Sequence, residues 1–174
     1  MPYVISDLHL DHGNIIDYTN RPFQSVDEMN NHLITNWNST ISPDDVVLFL
    51  GDIAMADADR QKELLDQLNG NILFIKGNHD KLFTDEAGVP VVENTFIQHD
   101  RFKFNLVHDP EEKTDSWNGW VIHGHTHNNE MTEYPFIHPQ NKTVNVSVEL
   151  LNYKPVRLEK IINLISTNKR MNKL

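Results

Sequence analysis

ILFIKGNHD, residues 72–80, joins an apolar, strand-like run to a cluster of polar side chains. The apolar run predicts a strand buried on both faces, as in the parallel sheets of α/β proteins. Asn78, His79 and Asp80 then come at the carboxyl end of that strand, where open α/β sheets usually build their sites. Such groups cost free energy when buried without partners, so the stretch predicts both an α/β fold and a functional edge.

Four other apolar runs end in polar clusters in the same way. The polar clusters are SDLH (6–9) after YVI, GD (51–52) after VVLFL, HDP (108–110) after FNLV, and HGHTH (123–127) after WVI. Because the carboxyl ends of neighbouring parallel strands meet at one edge of a sheet, we expect the five clusters to lie close together.

Helical patterns separate the first strands. Residues 25–39 open with Ser25 and Glu28 at capping-box spacing, residues 57–70 end at Gly70, and residues 158–167 form a closing helix. The order strand, helix, strand predicts βαβ units and a single α/β sandwich with two mixed sheets and outer helices. We expect one domain over residues 1–168, followed by a frayed, polar and basic tail over 169–174.

Length, charge and composition disfavour or exclude several classes of function. The 174 residues suit one ordinary domain, and the formal net charge of −10 disfavours binding to duplex nucleic acid. The chain has no cysteine, which excludes disulfides and thiolate ligands. No apolar run is long enough to span a bilayer, and the first residues lack a signal-peptide pattern, so we expect no membrane contact and a cytoplasmic location.

The five clusters together supply a set of metal-ligand side chains. Alternate residues of an extended segment point to the same side, so Asp7 and His9 can reach one ion. The other candidate ligands are Asp52, Asn78, His108, His125 and His127. Carboxylate, imidazole and amide oxygen donors without thiolates suit Mn, Fe, Zn, Co or Ni. One ion cannot take them all, whereas two ions that share Asp52 can.

Each cluster alone has a simpler interpretation. Asp7 and His9 can form a strand-end turn, and His108 can be a core histidine with satisfied hydrogen bonds. His125 and His127 can be surface residues or ligands of one structural zinc, although such zinc sites close with four ligands. The presence of all five clusters in one chain favours a metal centre over these separate interpretations.

The motifs DLH (7–9), GD (51–52), GNHD (77–80), VHDP (107–110) and GHTH (124–127) resemble the calcineurin-like metallophosphoesterase superfamily, and VNVSVELLNYKPV resembles its small bacterial and phage members. The resemblance implies a four-layer α/β/β/α sandwich. It implies two divalent ions, Mn²⁺ first among them, held by Asp7, His9, Asp52 and His127 and by Asp52, Asn78, His108 and His125. A hydroxide bridging the ions would attack phosphorus, with His79 assisting the leaving group.

Other residues near the motifs are candidates for supporting roles. Arg21 and His12 are predicted to contact substrate, Arg21 through bidentate bonds to phosphate oxygens. His123 is predicted to hydrogen-bond a ligand side chain from behind, with simple packing as the alternative. Asp80 is predicted to orient a neighbouring side chain or cap the next turn.

Substrate class is narrowed by one departure from a related family. Serine/threonine protein phosphatases have Asp and Arg where this chain has Met55 and Ala56, so the arginine that grips the phosphoryl group there is missing. A protein phosphatase is therefore not expected. The chain has no room for the duplex-binding domains of the large nucleases of this superfamily, and its net charge is unfavourable for them, so we expect a phosphodiesterase of small nucleotides, cyclic phosphates included. A phosphomonoesterase is the alternative, and a non-catalytic scaffold is the alternative of another class. In the segment 128–142, Tyr134, Phe136 and His138 could stack on a base, or the segment could be a plain loop.

Overall fold

A computed structural model describes residues 1–81 and 91–174 of the chain. Residues 82–90 of the sequence lie outside this description. The described strands are β1 (Tyr3–Ile5), β2 (Val46–Phe49), β3 (Asn71–Ile75), β4 (Val91–Val92), β5 (Thr95–His99), β6 (Phe102–Leu106), β7 (Trp120–His123), β8 (Ile137–His138), β9 (Thr143–Asn145) and β10 (Val156–Arg157). The described helices are α1 (Gly13–Tyr18), α2 (Val26–Thr40), α3 (Ala58–Leu65) and α4 (Leu158–Ile165).

The strands form two mixed sheets of five strands each. In the first, the order is β10-β1-β2-β3-β4, with β1 to β4 parallel and β10 antiparallel to β1. In the second, the order is β5-β6-β7-β9-β8, with β6, β7 and β9 parallel and both edge strands antiparallel to their neighbours. The α/β class and the two mixed sheets predicted from the sequence are confirmed.

Helix α2 begins where the sequence predicted. Ser25 Oγ accepts the backbone N–H of Glu28 at 3.2 Å, and the Glu28 carboxylate reaches back to the N–H of Gln24 at 2.7 Å. Its apolar stripe, Met29, Leu33 and Trp37, is at most 1% exposed. The stripe anchors α2 on the core of the first sheet, where the Trp37 ring lies 6.0 Å from that of Phe49.

Helix α3 is shorter than predicted. Asp57 caps it through the N–H of Arg60 at 2.9 Å, but the helix ends at Leu65 rather than at Gly70. Gly70 has φ of +103° and lies in the turn that enters β3. A turn with that dihedral needs a glycine, so Gly70 marks the start of the strand rather than the end of the helix.

None of the helices in the described residues is long and apolar enough to cross a lipid bilayer.

The two sheets are joined at Ser6, immediately after β1. Its N–H donates to the carbonyl of Val146 at 3.0 Å, and its carbonyl accepts the N–H of Val148 at 3.1 Å. The end of β1 therefore runs parallel to the segment that follows β9. This pairing brings the carboxyl-terminal edges of both sheets together, and all five polar clusters lie at those edges.

The last residues are not frayed, contrary to the expectation for 169–174. Met171 exchanges two backbone hydrogen bonds with Ile137, at 2.8 and 3.0 Å, which adds a bridge to β8. The Arg170 guanidinium donates to the carbonyls of Met131 and Thr132 at 2.8 and 2.7 Å. Polar composition misled the prediction, because the backbone of Met171 pairs with β8, its side chain packs against the core, and the Arg170 guanidinium finds carbonyl acceptors.

Removal of residues 169–174 is predicted to destabilise the fold. Each lost hydrogen bond removes about 0.5–1.5 kcal/mol, so loss of the four bonds that Met171 and Arg170 make to backbone groups is expected to lower the free energy of unfolding by about 2–6 kcal/mol. Urea unfolding of the chain truncated after Asn168 measures it. The control is Lys169→Ala, which removes a charge and leaves the backbone bonds in place. A truncated chain as stable as the control would show that these contacts contribute nothing.

Candidate metal centre

Five of the candidate ligands adopt a left-handed backbone. Their φ angles are 60° at Asp7, 48° at His9, 59° at Asp52, 67° at His125 and 48° at His127. The expectation that Asp7 and His9 belong to an extended segment is therefore wrong, although both side chains do reach the same place. Non-glycine residues in this region cost on the order of 1–3 kcal/mol each, and such strain is concentrated at functional sites.

The first part of the centre is formed by Asp7, His9 and His127. Their ligand atoms all lie within 4.8 Å of one another, and the three residues are buried. Asp7 Oδ1 is 3.9 Å from His9 Nε2 and 3.8 Å from His127 Nε2. This is the carboxylate and imidazole set predicted for one metal ion, apart from Asp52.

The second part is formed by Asn78, His108 and His125. Asn78 Oδ1 lies 3.0 Å from both His108 Nε2 and His125 Nδ1, and these two nitrogens are 3.3 Å apart. His108 is buried, His125 is half-buried and Asn78 is exposed, so this part opens toward solvent. These are three of the four ligands predicted for the other ion.

Asp52 joins the two parts. Its Oδ2 lies 3.3 Å from His9 Nε2 and 3.4 Å from His108 Nε2, one imidazole from each part. Burial alone would raise the pKa of Asp52, but the adjacent imidazoles of His108 and His9 hold it well below the usual range. Asp52 is thus an anion placed between both donor groups, which is the position expected of a shared ligand.

The residues present fit divalent cations. His9 Nε2 is buried and has no hydrogen-bond partner among the described residues, an arrangement that costs free energy unless a cation takes its lone pair. Burial opposes protonation of His108, yet the hydrogen bond to Asp52 and the charge of Asp7 raise its pKa to about 10. The centre therefore favours positive charge between its ligands, and its oxygen and nitrogen donors suit first-row metals.

The second nitrogen of each imidazole has a partner that turns the first toward the centre. His127 Nδ1 lies 3.1 Å from Glu149, and His108 Nδ1 donates to the Leu50 carbonyl at 2.7 Å. His9 Nδ1 lies 3.2 Å from His12 Nδ1, and His125 Nε2 is 3.6 Å from Asp109. Partners of this kind fix the orientation and raise the basicity of metal-binding histidines.

Asp7 is held by hydroxyl groups on one side. Ser6 Oγ and Ser147 Oγ both donate to its Oδ2, the latter at 2.8 Å. The backbone N–H of His125 reaches both carboxylate oxygens, at 3.1 and 3.2 Å. These bonds keep Oδ1 turned toward His9 and His127.

Two glycines allow the clusters to approach each other. A Cβ on Gly77 would strike the Asp52 carboxylate, and a Cβ on Gly124 would strike Ser6 Oγ and Asp7 Oδ2. The glycines that precede Asn78 and His125 in the sequence are therefore needed for space around the two carboxylates.

Asp80 holds two of the loops together. Its carboxylate accepts the backbone N–H groups of Gly77, Asp52 and Ile53 at 2.7, 2.8 and 2.9 Å. It therefore orients the backbone of the Asp52 loop rather than a neighbouring side chain. Burial raises the pKa of this carboxyl group, and the three donors oppose that shift in part.

His12 and His123 differ in how far their predicted roles agree with their contacts. His12 is half-buried beside His9, and its ring lies 6.4 Å from that of His79, so substrate contact by His12 stays a prediction. Burial and the neighbouring His9 lower the His12 pKa to about 4.

His123 donates to the carbonyl of Gly124 at 2.9 Å and packs on Tyr134, so the bond predicted to a ligand side chain is absent among the described contacts.

Arg21 is not a phosphate-binding residue, contrary to the expectation. Its side chain is 0% exposed and pairs with Glu149 at 2.7 Å. The remaining guanidinium donors meet the carbonyls of Leu8 and Asp7 at 2.7 and 2.8 Å. Arg21 instead supports the backbone of the DLH motif and links it to Glu149, which in turn orients His127.

Besides Ser6 and Ser147, three residues that support the centre were missed in the sequence analysis. Glu149 and Asn145 lie inside the apolar run VNVSVELL, where a single acidic or amide side chain is itself a signal of a buried partner. Asn145 donates to the carbonyl of His127 at 2.8 Å and accepts the N–H of Ser147 at 3.0 Å. The third, Gln61, lies on the polar-looking helix α3, and no local pattern distinguishes it.

The segment 128–142 offers less for base stacking than expected. Phe136 is 0% exposed and belongs to the core. Tyr134 packs on His123 with ring centroids 5.1 Å apart, and His138 lies 3.3 Å from the Arg170 guanidinium. Phe136 is therefore excluded from substrate contact.

Ser147→Ala is predicted to weaken metal binding without unfolding the chain. Loss of its hydroxyl frees Asp7 to rotate, and residues that support ligands typically contribute about tenfold or more to metal affinity. Titration calorimetry with Mn²⁺ measures the change. The control is Ser166→Ala, whose hydroxyl bonds the Ile162 carbonyl at the end of α4. Equal affinities in the two variants would contradict the role given to Ser147.

Comparison with known proteins agrees with this geometry. The model of the calcineurin-like phosphoesterase superfamily domain matches residues 2–147. An uncharacterized protein of Methanocaldococcus jannaschii is 49% identical over 170 residues, which cover 96% of this chain and 92% of that protein. A crystal structure of a protein of unknown function from Aquifex aeolicus is 25% identical, with a TM-score of 0.70 over 94% of this chain and 98% of its own. The chain therefore belongs to the calcineurin-like phosphoesterase superfamily.

Proposed function

We propose that the protein is a dinuclear-metal-dependent phosphodiesterase that hydrolyses small nucleotide-type or cyclic phosphodiesters. The observation that carries this proposal is the position of Asp52 Oδ2, within 3.4 Å of one imidazole from each part of the centre. A carboxylate shared in this way suits two ions side by side. Family membership supports the general reaction, metal-dependent hydrolysis of a phosphoric ester.

Each protein group has a defined task in this proposal. Asp7, His9, Asp52 and His127 would hold one ion, and Asp52, Asn78, His108 and His125 would hold the other. When bound, such ions supply an activated water and neutralise charge on the phosphoryl oxygens. The left-handed turns and the hydrogen bonds behind each imidazole keep the donors in place before substrate arrives, which lowers the reorganisation required during reaction.

His79 is assigned to the leaving group. Its backbone N–H donates to Asp52 Oδ1 at 2.9 Å, while its ring lies 5.4 Å from that of His9 at the half-buried rim. Among the described residues, the ring nitrogens of His79 have no hydrogen-bond partner. An imidazole in this position can donate a proton or a hydrogen bond to the departing oxygen.

The charge beside the centre favours a diester over a monoester. A cleft of about 170 Å³ next to His108 and His125 is lined by three carboxylates, those of Glu93, Asp109 and Glu112, and by one cation, Lys76. Lys76 Nζ lies 3.6 Å from Glu93, so the carboxylates outnumber the cation. A phosphomonoester carries about −1.5 to −2 charges near neutral pH, more than the single charge of a diester. Like charges repel, so these carboxylates disfavour the monoester more.

Chelation and Asp52→Asn are both predicted to abolish hydrolysis. We expect Mn²⁺ to support hydrolysis of bis-p-nitrophenyl phosphate in preference to p-nitrophenyl phosphate, measured by release of p-nitrophenol. Asp52→Asn should lower the rate by more than about 100-fold, beyond the range for residues that only support ligands. Asp66→Asn, on the outer face beyond α3, is the matched control.

The outcomes of this assay separate the alternatives. Faster turnover of the monoester would favour a phosphomonoesterase and contradict the diester assignment. No turnover of either ester with Mn²⁺, Fe²⁺, Co²⁺, Ni²⁺ or Zn²⁺ would favour a non-catalytic scaffold.

His79→Ala is predicted to retain both metal ions and to lose turnover selectively. General acid catalysis contributes about 100- to 10,000-fold, and most of it is needed when the leaving group is a poor one. We expect a loss of at least about 100-fold on an alkyl ester and a smaller loss on a p-nitrophenyl ester. Metal content by mass spectrometry and the rates on both esters test this, with His99→Ala as control. Loss of metal along with activity would contradict the role of His79.

A further inference from the structure

We infer that Gln61 is a positioning residue that sets the place of His79, an inference that rests on the proposed phosphodiesterase function. Gln61 lies on α3, outside all five motifs, and its side chain is 0% exposed. Among the described residues, its side-chain hydrogen bonds reach none of the candidate metal ligands. Its effect on the reaction would therefore pass through the backbone of the loop that carries His79.

The Gln61 amide bridges two loops of the centre. Its Nε2 donates to the carbonyl of Ala54 at 2.7 Å and to the carbonyl of His79 at 3.1 Å. Its Oε1 accepts the N–H of Lys81 at 2.8 Å. One side chain thus bonds the backbone on both sides of Asp80 and ties it to the loop that follows Asp52.

Gln61 and Asp52 bond different backbone groups of His79. The N–H of His79 is bonded to Asp52 Oδ1 at 2.9 Å, and its carbonyl is bonded to Gln61. The residue is thereby held at both ends of its backbone, once by the shared carboxylate and once by α3. A catalytic group must lie within hydrogen-bond reach of the atom it protonates, so a small shift of this segment separates His79 from the leaving oxygen.

A purely structural role would give a different result. Buried amides that bridge backbone groups stabilise any fold, and their loss lowers stability without a preference among substrates. Positioning of His79 predicts that the loss depends on the leaving group. The discriminating quantity is therefore the slope of log kcat against the pKa of the leaving alcohol, measured over a series of diesters.

Gln61→Met keeps the length of the side chain and removes all its hydrogen bonds. We expect kcat to fall about 10- to 100-fold on alkyl leaving groups and less than about threefold on p-nitrophenyl, with KM and metal content little changed. In the His79→Ala background, Gln61→Met should cause no further loss on alkyl leaving groups, because two residues that act through one step are not additive.

The control is Asn38→Leu. The Asn38 amide also bridges backbone groups, the carbonyl of Gln67 and the N–H of Asn69, both at 2.8 Å, but it lies away from the centre. We expect this variant to lose stability and to keep the wild-type slope. Gln61→Glu is the second variant, and it serves the test if Gln61→Met does not fold. It keeps the acceptor for the Lys81 N–H and removes the donor to the His79 carbonyl.

Two results would overturn the inference. One is an equal loss on all leaving groups in both Gln61 variants, and the other is a full additional loss in the His79→Ala background. Inactivity of the wild-type protein on every ester would instead sink the proposed function. In that case a crystal structure of Gln61→Met decides, because an unmoved His79 would show that Gln61 does not position it.

Discussion

The pairing of Ser6 with the chain after β9 is the constraint on which the centre depends. Two backbone hydrogen bonds, from the N–H of Ser6 to Val146 and from the N–H of Val148 to Ser6, join the sheets at the point where β1 ends. This junction aligns the carboxylates that follow β1 and β2 with the histidines that follow β7, and the bonds from the His125 N–H to Asp7 add to it. The same junction places Ser147 and Glu149 behind Asp7 and His127, so the residues that join the sheets also support the ligands.

The two buried carboxylates that are candidate ligands, Asp7 and Asp52, each have one oxygen held by hydrogen bonds and one that faces the imidazoles. Asp7 Oδ2 accepts two serine hydroxyls, and Asp52 Oδ1 accepts the N–H of His79 at 2.9 Å. The other oxygen of each faces imidazole nitrogens at distances of 3.3 to 3.9 Å. Glu149 and Asp80 have no such open oxygen, because Arg21 and His127 contact the first and backbone N–H groups bond the second. Burial would raise the pKa of Glu149, but Arg21 and His127 lower it to about 2. The carboxylate oxygens left open are thus those of the two candidate ligands, Asp7 and Asp52.

The sequence indicated the candidate ligands because strand ends and motif spacing are local properties. A buried run that ends in GD or GNHD indicates where the polar side chains follow the strand. The carboxyl ends of neighbouring parallel strands lie at the same edge of the sheet. Gln61, Glu149 and Arg21 could not be assigned in the same way, because decisive partners are distant in sequence. Gln61 bonds His79, 18 positions away, and Arg21 pairs with Glu149, 128 positions away. Arg21 looked available for phosphate only because the residue that neutralises it, Glu149, belongs to the opposite end of the chain.

The left-handed turns explain why supporting residues are so numerous around so small a centre. A non-glycine residue in that region is held there only when other interactions outweigh the strain. At Asp52, for example, Asp80 accepts the N–H groups of both Asp52 and Ile53, and His79 bonds the carboxylate itself. The bond that fixes the shared carboxylate is therefore also the bond that fixes the proposed leaving-group residue. The position of His79 is set relative to the charge it would act beside, and fold and chemistry rest on the same few hydrogen bonds.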